Sequence, residues 1–205
     1  MLPPQIPLFP LPNAVLFPNV FLPLHVFEPR YRAMVEDALA GDRVIGMALL
    51  KPGWKDDYEG RPPVFPVGCA GVMTHAERLP EGRFNIVLRG LGKFRIASES
   101  HERPYRLATV QAIHEALVEA DRPRLRDERR RIEALLLSLT DGPDVQLPAA
   151  MPDEDVVNAL AQYLSLEPLE RQALLERDGP VARGRSLAEL LEMKLLGSTA
   201  TGPAH

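Results

Sequence analysis

The sequence predicts an α+β protein in which a small β-barrel with one or two helices is followed by a helical bundle. Up to about residue 117, short apolar and β-branched segments follow one another between prolines and glycines, a pattern typical of small closed or partly closed barrels. From about residue 121, apolar residues recur with the 3.6-residue period of helices. We therefore expect a barrel subdomain over residues 1–117, a helical subdomain over 121–197 and a disordered tail over 198–205.

Proline-punctuated apolar segments open the barrel half. Because proline lacks the N–H that a central strand donates, we expect these segments at sheet edges, strand starts and bends; they are Ile6–Leu11, Val15–Phe17 and Val20–Phe27. The run Val44–Leu50 is apolar throughout, as expected of a strand that is buried on both faces. Gly68 and Gly71 lie inside the strand pattern of Phe65–Thr74, which predicts a bulge or a tight barrel corner.

The rest of this half contains a hairpin, a last strand and one helix. Val72–Leu79 and Phe84–Arg89 flank a short turn, and a further strand is predicted at Tyr105–Ile113. Pro29 suits the first position of a helix whose apolar residues recur at helical spacing, and Gly41 predicts its left-handed end.

Four helices are predicted in the second half. The apolar stripes place them at about Leu125–Leu139, Asp153–Leu164, Pro168–Arg177 and Ser186–Leu195. Ser186 and Glu189 form a capping box that predicts the start of the last helix, and Gly197 predicts its end.

Composition excludes several classes of protein. The formal net charge of -4 leaves no global basic field that would attract nucleic acid. The single cysteine, Cys69, cannot form an internal disulfide, and we expect it to be a small buried hydrophobe. The most apolar stretch, residues 14–27, is interrupted by two prolines, an asparagine and a histidine, so it is not a membrane helix. Without a targeting segment, we expect a cytoplasmic protein.

Three segments resemble one known family. The run PLFPLPNAVLFPNVFLPLHVFEPRYRAMVEDAL, from Pro7 to Leu39, resembles the opening of the N-terminal, substrate-binding domain of Lon proteases. VGCAGVM at Val67–Met73 and GLGKFRI at Gly90–Ile96 are similar to that family's later landmarks, and the resemblance covers roughly residues 5–196. It implies a barrel of the pseudouridine-synthase-and-archaeosine-transglycosylase (PUA-like) type, followed by helices.

The resemblance also implies a function, which is the binding of unfolded or misfolded polypeptides or an adaptor role toward a protease. Full-length Lon proteases add an ATPase module and a serine–lysine protease module, but this sequence contains no G-x-x-x-x-G-K-[ST] phosphate loop. We therefore expect a stand-alone domain that is not an enzyme and that requires no cofactor. The histidines and the cysteine show no metal-ligand spacing, so no metal site is predicted. The oligomeric state stays open.

Two groups of residues are candidates for the site. The motif residues read as structural: the prolines fix bends, and Glu28, Arg30 and Tyr31 hold the first helix against the barrel; the set is Pro10, Pro18, Pro23, Glu28, Arg30 and Tyr31. Of the apolar residues around them, Phe27 is expected to help fill the barrel, and His25 to be partly buried.

The loop at residues 51–63 supplies the candidate partner-binding residues. It contains the only tryptophan, Trp54, with Tyr58 four residues later, and Phe65 lies two residues after its end. Aromatic side chains on a loop are common anchors for a partner. They would equally be able to fold back over the open end of the barrel, and the sequence leaves both interpretations open.

RNA binding is the alternative function. PUA-like barrels include RNA-binding members, and the stretch Arg122–Arg131 is the one basic cluster of the sequence. Acidic residues inside that stretch, and the absence of interleaved aromatic residues, favour instead a solvated helix with ion pairs such as Asp127–Arg131. Nucleic acid is therefore the less favoured partner, and a polypeptide client or a partner protein is the favoured one.

Overall fold

The structure, a computed structural model, describes residues 2–58, 60–139 and 150–200. Contacts divide the chain into two compact units. The first comprises Met1–His114 together with Ser165–Leu175, and the second comprises Glu115–Leu164 together with Glu176–His205. Strands occupy the first unit and helices dominate the second, so the predicted α+β class is confirmed.

Six strands form the sheet of the first unit. They are β1 (Gln5–Leu11), β2 (Phe21–Val26), β3 (Val44–Leu49), β4 (Val67–Arg78), β5 (Phe84–Ser100) and β6 (Arg106–Ile113). Their order is β2-β5-β4-β3-β1-β6, and β6 also pairs with the second half of β5. This last pairing closes a ring of five strands, while β2 pairs only with the first half of β5. The expected barrel is therefore present, and β3 is buried along its whole length as predicted.

The proline-rich strands occupy two different positions. β2, with Pro23 at its centre, lies at the edge of the sheet as expected. The same expectation is wrong for β1, which lies between β3 and β6. β1 tolerates Pro7 and Pro10 because β6 pairs with its first half and β3 with its second, the two pairings overlapping only at Leu8. Each proline is therefore paired on one side of the strand only, and its missing N–H is tolerated on the unpaired side. Residues 15–17 are buried but form no strand.

Two glycines allow close approaches in the barrel. A Cβ on Gly68 would collide with the Met47 carbonyl and with the ring of Phe94, which is fully buried in the core. A Cβ on Gly90 would collide with the backbone of Phe17, where the turn before β2 packs on β5. The register of β4 against β5 shifts between Ala70 and Gly71, as expected of the predicted bulge.

Helix α1 covers Pro29–Ala40 and packs against the barrel. It begins and ends where the sequence predicts, but Gly41 has φ -118° and is not left-handed. The left-handed residue is Arg43, with φ 59°, and its N–H donates to the Ala38 carbonyl at 2.9 Å. The left-handed residue after the helix is therefore Arg43, two positions after the glycine that the sequence indicated.

The short helix α4 (Pro168–Leu175) belongs to the first unit although it lies far along the chain. The Gln172 amide donates to the Val67 carbonyl at 2.9 Å, and the Lys93 ammonium donates to the Leu175 carbonyl at 3.0 Å. The division by contacts therefore differs from the division expected by sequence position, which assigned this helix to the helical subdomain.

The second unit contains helices α2 (Arg122–Leu139), α3 (Asp153–Tyr163) and α5 (Gly179–Ala200). Their most buried polar side chain is Arg183 of α5, which is 0% exposed. Its guanidinium donates to Asn158 Oδ1 on α3 at 2.7 Å and to Glu115 Oε1 at 2.6 Å. Sequence reasoning did not identify this buried charge, because its partners lie on other segments.

The predicted bounds of α5 are wrong at both ends. The helix starts at Gly179, so Ser186 lies inside it and does not cap it, and it continues past Gly197 to Ala200. The tail predicted to be disordered begins within this helix, and its remainder, residues 201–205, lies outside the described residues. None of the helices in the described ranges has both the length and the apolar character needed to span a bilayer.

Candidate functional site

The motif at the start of α1 and the loop after β3 meet through Glu28. The Tyr58 hydroxyl donates to Glu28 Oε1, and Arg30 Nε donates to Glu28 Oε2 at 3.0 Å. The Arg30 guanidinium also donates to the Tyr58 carbonyl at 3.3 Å and lies over the rings of Tyr31 and Tyr58, at 4.7 and 5.2 Å from their centroids. Glu28 precedes α1 but its carboxylate makes no cap hydrogen bond, so it joins side chains instead. We call Glu28, Arg30, Tyr31 and Tyr58 the Glu28 cluster.

The other two loop aromatic residues are half-buried. The Trp54 ring meets the Tyr58 ring edge-on, with centroids 5.5 Å apart, and the Lys51 ammonium lies 5.8 Å from the centroid of Phe65. The hydrogen bond from Tyr58 to Glu28 thus holds the loop against the start of α1. Of the three candidate partner-binding residues, Tyr58 is thus held by Glu28 and is in ring contact with Trp54.

A pocket of about 240 Å³ opens beside the Glu28 cluster. Three arginines, three tyrosines and four other side chains line it together with Gly60: Arg30, Arg61, Arg106, Tyr31, Tyr58, Tyr105, Pro10, Leu50, Pro62 and Pro104. We call it the arginine pocket. Pro10 of the motif is therefore a wall of this pocket, whereas Pro23 lies on β2 and Pro18 lies in the turn that packs on Gly90.

The arginines of the pocket differ in their partners. Arg30 pairs with Glu28, and Arg106 pairs with Glu99 at 3.4 Å and donates to the Pro62 carbonyl. Arg61 donates to two backbone carbonyls, those of Ser100 at 3.0 Å and Arg103 at 3.4 Å. Among the described residues no carboxylate lies within ion-pair distance of Arg61. Within the described ranges, the three guanidinium groups therefore have two carboxylates as ion-pair partners, Glu28 and Glu99.

Burial and these charges shift pKa values in the pocket. Burial lowers the pKa of the Arg106 guanidinium; Glu99 opposes this shift, and the nearby Arg61 and Arg30 add to it. Burial also raises the pKa of Tyr31 to about 12, although Arg30 and Arg106 act in the opposite direction. In both groups burial is the largest cause of the shift, and the neighbouring arginines lower the pKa.

Two tyrosine hydroxyls of the pocket differ in their hydrogen bonding. The Tyr105 hydroxyl donates to Asp37 Oδ2 at 2.6 Å, and burial together with this bond raises its pKa to about 12. The Tyr31 ring is 4% exposed and packs on Phe9, with centroids 4.6 Å apart. Its hydroxyl has no hydrogen-bond partner among the described residues.

A second feature is an exposed apolar face on β2. Alternate residues point outward, and Phe21 is 48% exposed and Phe27, directly after the strand, 59% exposed. Between them, Pro23 is exposed beside its register partner Val87, and the exposed His25 stacks on Phe27 at 6.1 Å. We call Phe21, Pro23, His25 and Phe27 the β2 face. The expectations that Phe27 fills the barrel and that His25 is partly buried are therefore wrong, because the strand's period of two turns both outward.

The basic cluster on α2 is matched by acidic side chains. Every arginine in Arg122–Arg131 has a carboxylate oxygen within ion-pair distance, with shortest separations from 2.7 to 3.9 Å. Asp127 pairs with Arg130, not with Arg131 as expected, since Arg131 reaches Glu192 of α5 at 2.8 Å. This surface offers few uncompensated cations to a phosphate backbone.

Cys69 is buried on β4, as expected of a small hydrophobe. Across residues 2–58, 60–139 and 150–200, no three histidine, cysteine, aspartate or glutamate side chains are arranged to hold a metal ion.

Sequence reasoning missed Arg61, Arg106 and the exposed rings of β2. No local signal joins the two arginines to Arg30, because the pairing of β1 with β6 and the loop after β3 bring them together. The exposed rings did have a signal: alternation along Phe21–Val26 places every second residue on one face.

Comparison with known proteins identifies the family. The model of the ATP-dependent protease La (Lon) substrate-binding domain matches residues 5–193. Lon protease 2 of Sorangium cellulosum is 30% identical over 201 residues, which are 93% of this chain and 25% of that protein. Lon protease 2 of Myxococcus xanthus is 27% identical over 199 residues, which are 94% of this chain and 24% of that protein. The chain thus spans about a quarter of the length of these relatives.

Solved structures share the fold. The N-terminal domain of the Mycobacterium avium complex Lon protease aligns with a TM-score of 0.71 at 17% identity, covering 92% of this chain and 98% of that one. A Lon N-terminal domain protein from Xanthomonas campestris aligns with a TM-score of 0.60 at 24% identity, covering 92% and 97%. With the barrel, the helices after it and the match over residues 5–193, the chain belongs to the family of Lon substrate-binding domains.

Proposed function

We propose that this chain is a non-catalytic module that binds unfolded or misfolded polypeptide segments on the β2 face. Membership of a substrate-binding family supports a recognition role. The observation that carries the proposal is the exposure of two phenylalanine rings, Phe21 and Phe27, at the two ends of one edge strand. Exposed aromatic rings that lie along one surface mark interaction sites more often than single apolar residues scattered over a surface do.

The chemistry of β2 favours contact through side chains. An edge strand offers unpaired backbone groups to an added strand, but Pro23 interrupts that ladder at its centre. Apolar side chains of a client would instead pack on the rings of Phe21 and Phe27 and on Pro23 between them. Few anchors of this kind give a modest and sequence-tolerant affinity, which suits unfolded segments.

The loop side chains are proposed as secondary anchors. Trp54 and Phe65 keep part of their surface accessible, whereas the Tyr58 hydroxyl is engaged by Glu28. Trp54 is the only tryptophan of the chain, so its fluorescence reports directly on whether a client reaches this loop. An alanine substitution of both Trp54 and Tyr58 that leaves client affinity unchanged would remove the loop from the proposal.

An adaptor role follows from the same binding activity. A domain that holds a client without cleaving it would deliver that client to a protease. We propose this role for the chain, and its test is whether purified protease degrades an unfolded client faster when the chain is added.

The double variant Phe21→Ala/Phe27→Ala tests the β2 face. Binding of a labelled, permanently unfolded polypeptide is measured by fluorescence anisotropy at physiological salt. We expect the affinity to fall about tenfold, since each substitution removes most of an apolar contact area. Thermal unfolding should change little, because both rings are largely exposed in the folded chain.

Leu169→Ala is the matched control, because Leu169 is 50% exposed on α4, in the same unit but away from β2. It should bind the client as the parent does. Equal affinities for the parent and the double variant would refute the β2 face as the binding surface, and failure of the parent to bind would refute the function itself.

A further inference from the structure

The arginine pocket has the chemistry of an anion site. We propose that it binds the C-terminal carboxylate of a polypeptide, with the last side chain of that polypeptide against the apolar wall. The inference rests on the proposed function, since it assigns a particular part of a client to a second place on the same unit.

Charge supports a ligand that is negative. The guanidinium groups of Arg30, Arg61 and Arg106 line one space. Within the described residues, Glu28 pairs with Arg30 and Glu99 pairs with Arg106, and no other carboxylate pairs with the three arginines. Arg61 uses its donors on two carbonyls, which do not neutralise it. A carboxylate that enters the pocket would be the third anion, and guanidinium groups bind carboxylates in a planar, two-bond geometry.

An unused hydroxyl supports a ligand that accepts hydrogen bonds. Tyr31 is 4% exposed and lines the pocket, and its O–H finds no acceptor in the part of the chain that the structure describes. Its packing on Phe9 and the Arg30 guanidinium above its ring hold it in place. An acceptor oxygen in the pocket would give this hydroxyl a hydrogen-bond partner.

The walls and the size favour a peptide end over an inorganic anion. Pro10, Leu50, Pro62 and Pro104 contribute apolar lining to the same pocket, a surface that phosphate alone would leave unused. The volume of about 240 Å³ is smaller than the roughly 300–1,000 Å³ of pockets for drug-sized molecules. It suits one terminal residue, with a carboxylate on the arginines and an apolar side chain on the prolines.

The test uses one short peptide in two forms. An N-terminally labelled unfolded peptide that ends in leucine is prepared as the free acid and as the C-terminal amide, and both affinities are measured by anisotropy. We expect the free acid to bind at least tenfold more tightly, as charge-assisted hydrogen bonds require. Inorganic phosphate is the competitor, and it should displace the free acid only weakly.

Two variants locate the effect. Tyr31→Phe breaks no hydrogen bond of the described structure. Arg61→Gln removes the cation that has no acidic partner among the described residues and keeps an amide that is able to donate to the same carbonyls. Both variants should fold and lose most of the preference for the free acid. Arg78→Gln is the control, because Arg78 is an exposed arginine that pairs with Glu36 and does not line the pocket. It should keep the full preference.

The outcomes separate this inference from the proposed function. Equal binding of the acid and the amide would overturn carboxylate capture while polypeptide binding stands, and absence of binding by both would overturn the two together. Phosphate that competes as strongly as a free peptide end would mark a general oxyanion site and overturn the assignment to a polypeptide terminus.

Discussion

The chain carries two groups of arginines that behave in opposite ways. Those of Arg122–Arg131 are neighbours in sequence, and each one has a carboxylate partner on α2 or on an adjacent segment of its unit. Those of the arginine pocket are far apart in sequence, and the barrel brings them together with fewer paired carboxylates than cations among the described residues. A conspicuous charge run in a sequence is readily neutralised by residues three or four positions away, whereas a surplus of charge in space depends on tertiary structure.

Arg183 adds a fully buried arginine to the comparison of arginine environments. It is fully buried, and Glu115 lies 2.6 Å from its guanidinium. We expect Glu115→Gln to lower the free energy of unfolding by about 3 kcal/mol, because it removes the carboxylate that lies against a buried cation. Urea denaturation measures the change.

The matched change on the α2 surface is Asp127→Asn, which removes the partner of Arg130 where both side chains are at least 70% exposed. It should alter stability too little to resolve. Similar losses for the two variants would contradict the distinction between buried and exposed arginines.

Alkaline titration probes the environment of the pocket. The pKa of Tyr31 is about 12 in the folded chain and about 10 when unfolded, so the folded state retains a proton that the unfolded state releases. The free energy of unfolding should therefore be unaffected by Tyr31 below pH 10 and fall between about pH 10 and pH 12. Tyr31→Phe should remove about 2 kcal/mol of that fall. Urea denaturation at several pH values tests this, and an unchanged profile would show that Tyr31 is not desolvated.

Tyr58→Phe tests the tie between the loop and the start of α1. The substitution removes the hydroxyl that donates to Glu28 and keeps the ring against Arg30 and Trp54. We expect a loss of about 1 kcal/mol in the free energy of unfolding. Tyr31→Phe at pH 7 is the counterpart, because its hydroxyl has no partner in the described structure, and it should cost less. The reverse order, measured by thermal unfolding, would contradict the assignment of partners.

The smallest effect is expected on α2. Arg124→Gln/Arg130→Gln removes two largely exposed cations that already have acidic partners. We expect the binding of a structured RNA, followed by anisotropy at low salt, to be the same for this variant as for the parent. A marked drop would show that these arginines contact phosphates despite their ion pairs.

Much of the barrel could be predicted from the sequence, because alternation, turn residues and an all-apolar β3 are local signals. The position of β1 inside the sheet could not, since the tolerance of Pro7 and Pro10 depends on two staggered pairings. The same holds for α4, whose contacts with Val67 and Lys93 join distant segments.

Of the candidate site, the sequence indicated Glu28, Arg30, Tyr31 and the loop of Trp54 and Tyr58, but not that the two groups meet. Arg61 and Arg106 carry no signal of their own, because an isolated arginine in a polar loop or at a strand start is ordinary. The start of α5 was misplaced because Ser186 and Glu189 have capping spacing inside a continuous helix.

The most direct test of the account compares an unfolded polypeptide with a structured RNA, both labelled, by fluorescence anisotropy at low and at physiological salt. Binding through apolar rings should survive the added salt, and paired arginines should give little RNA binding. If the chain binds polypeptides through the β2 face, we expect polypeptide binding at both salt concentrations and negligible RNA binding at physiological salt. Tight, strongly salt-dependent RNA binding without polypeptide binding would contradict it.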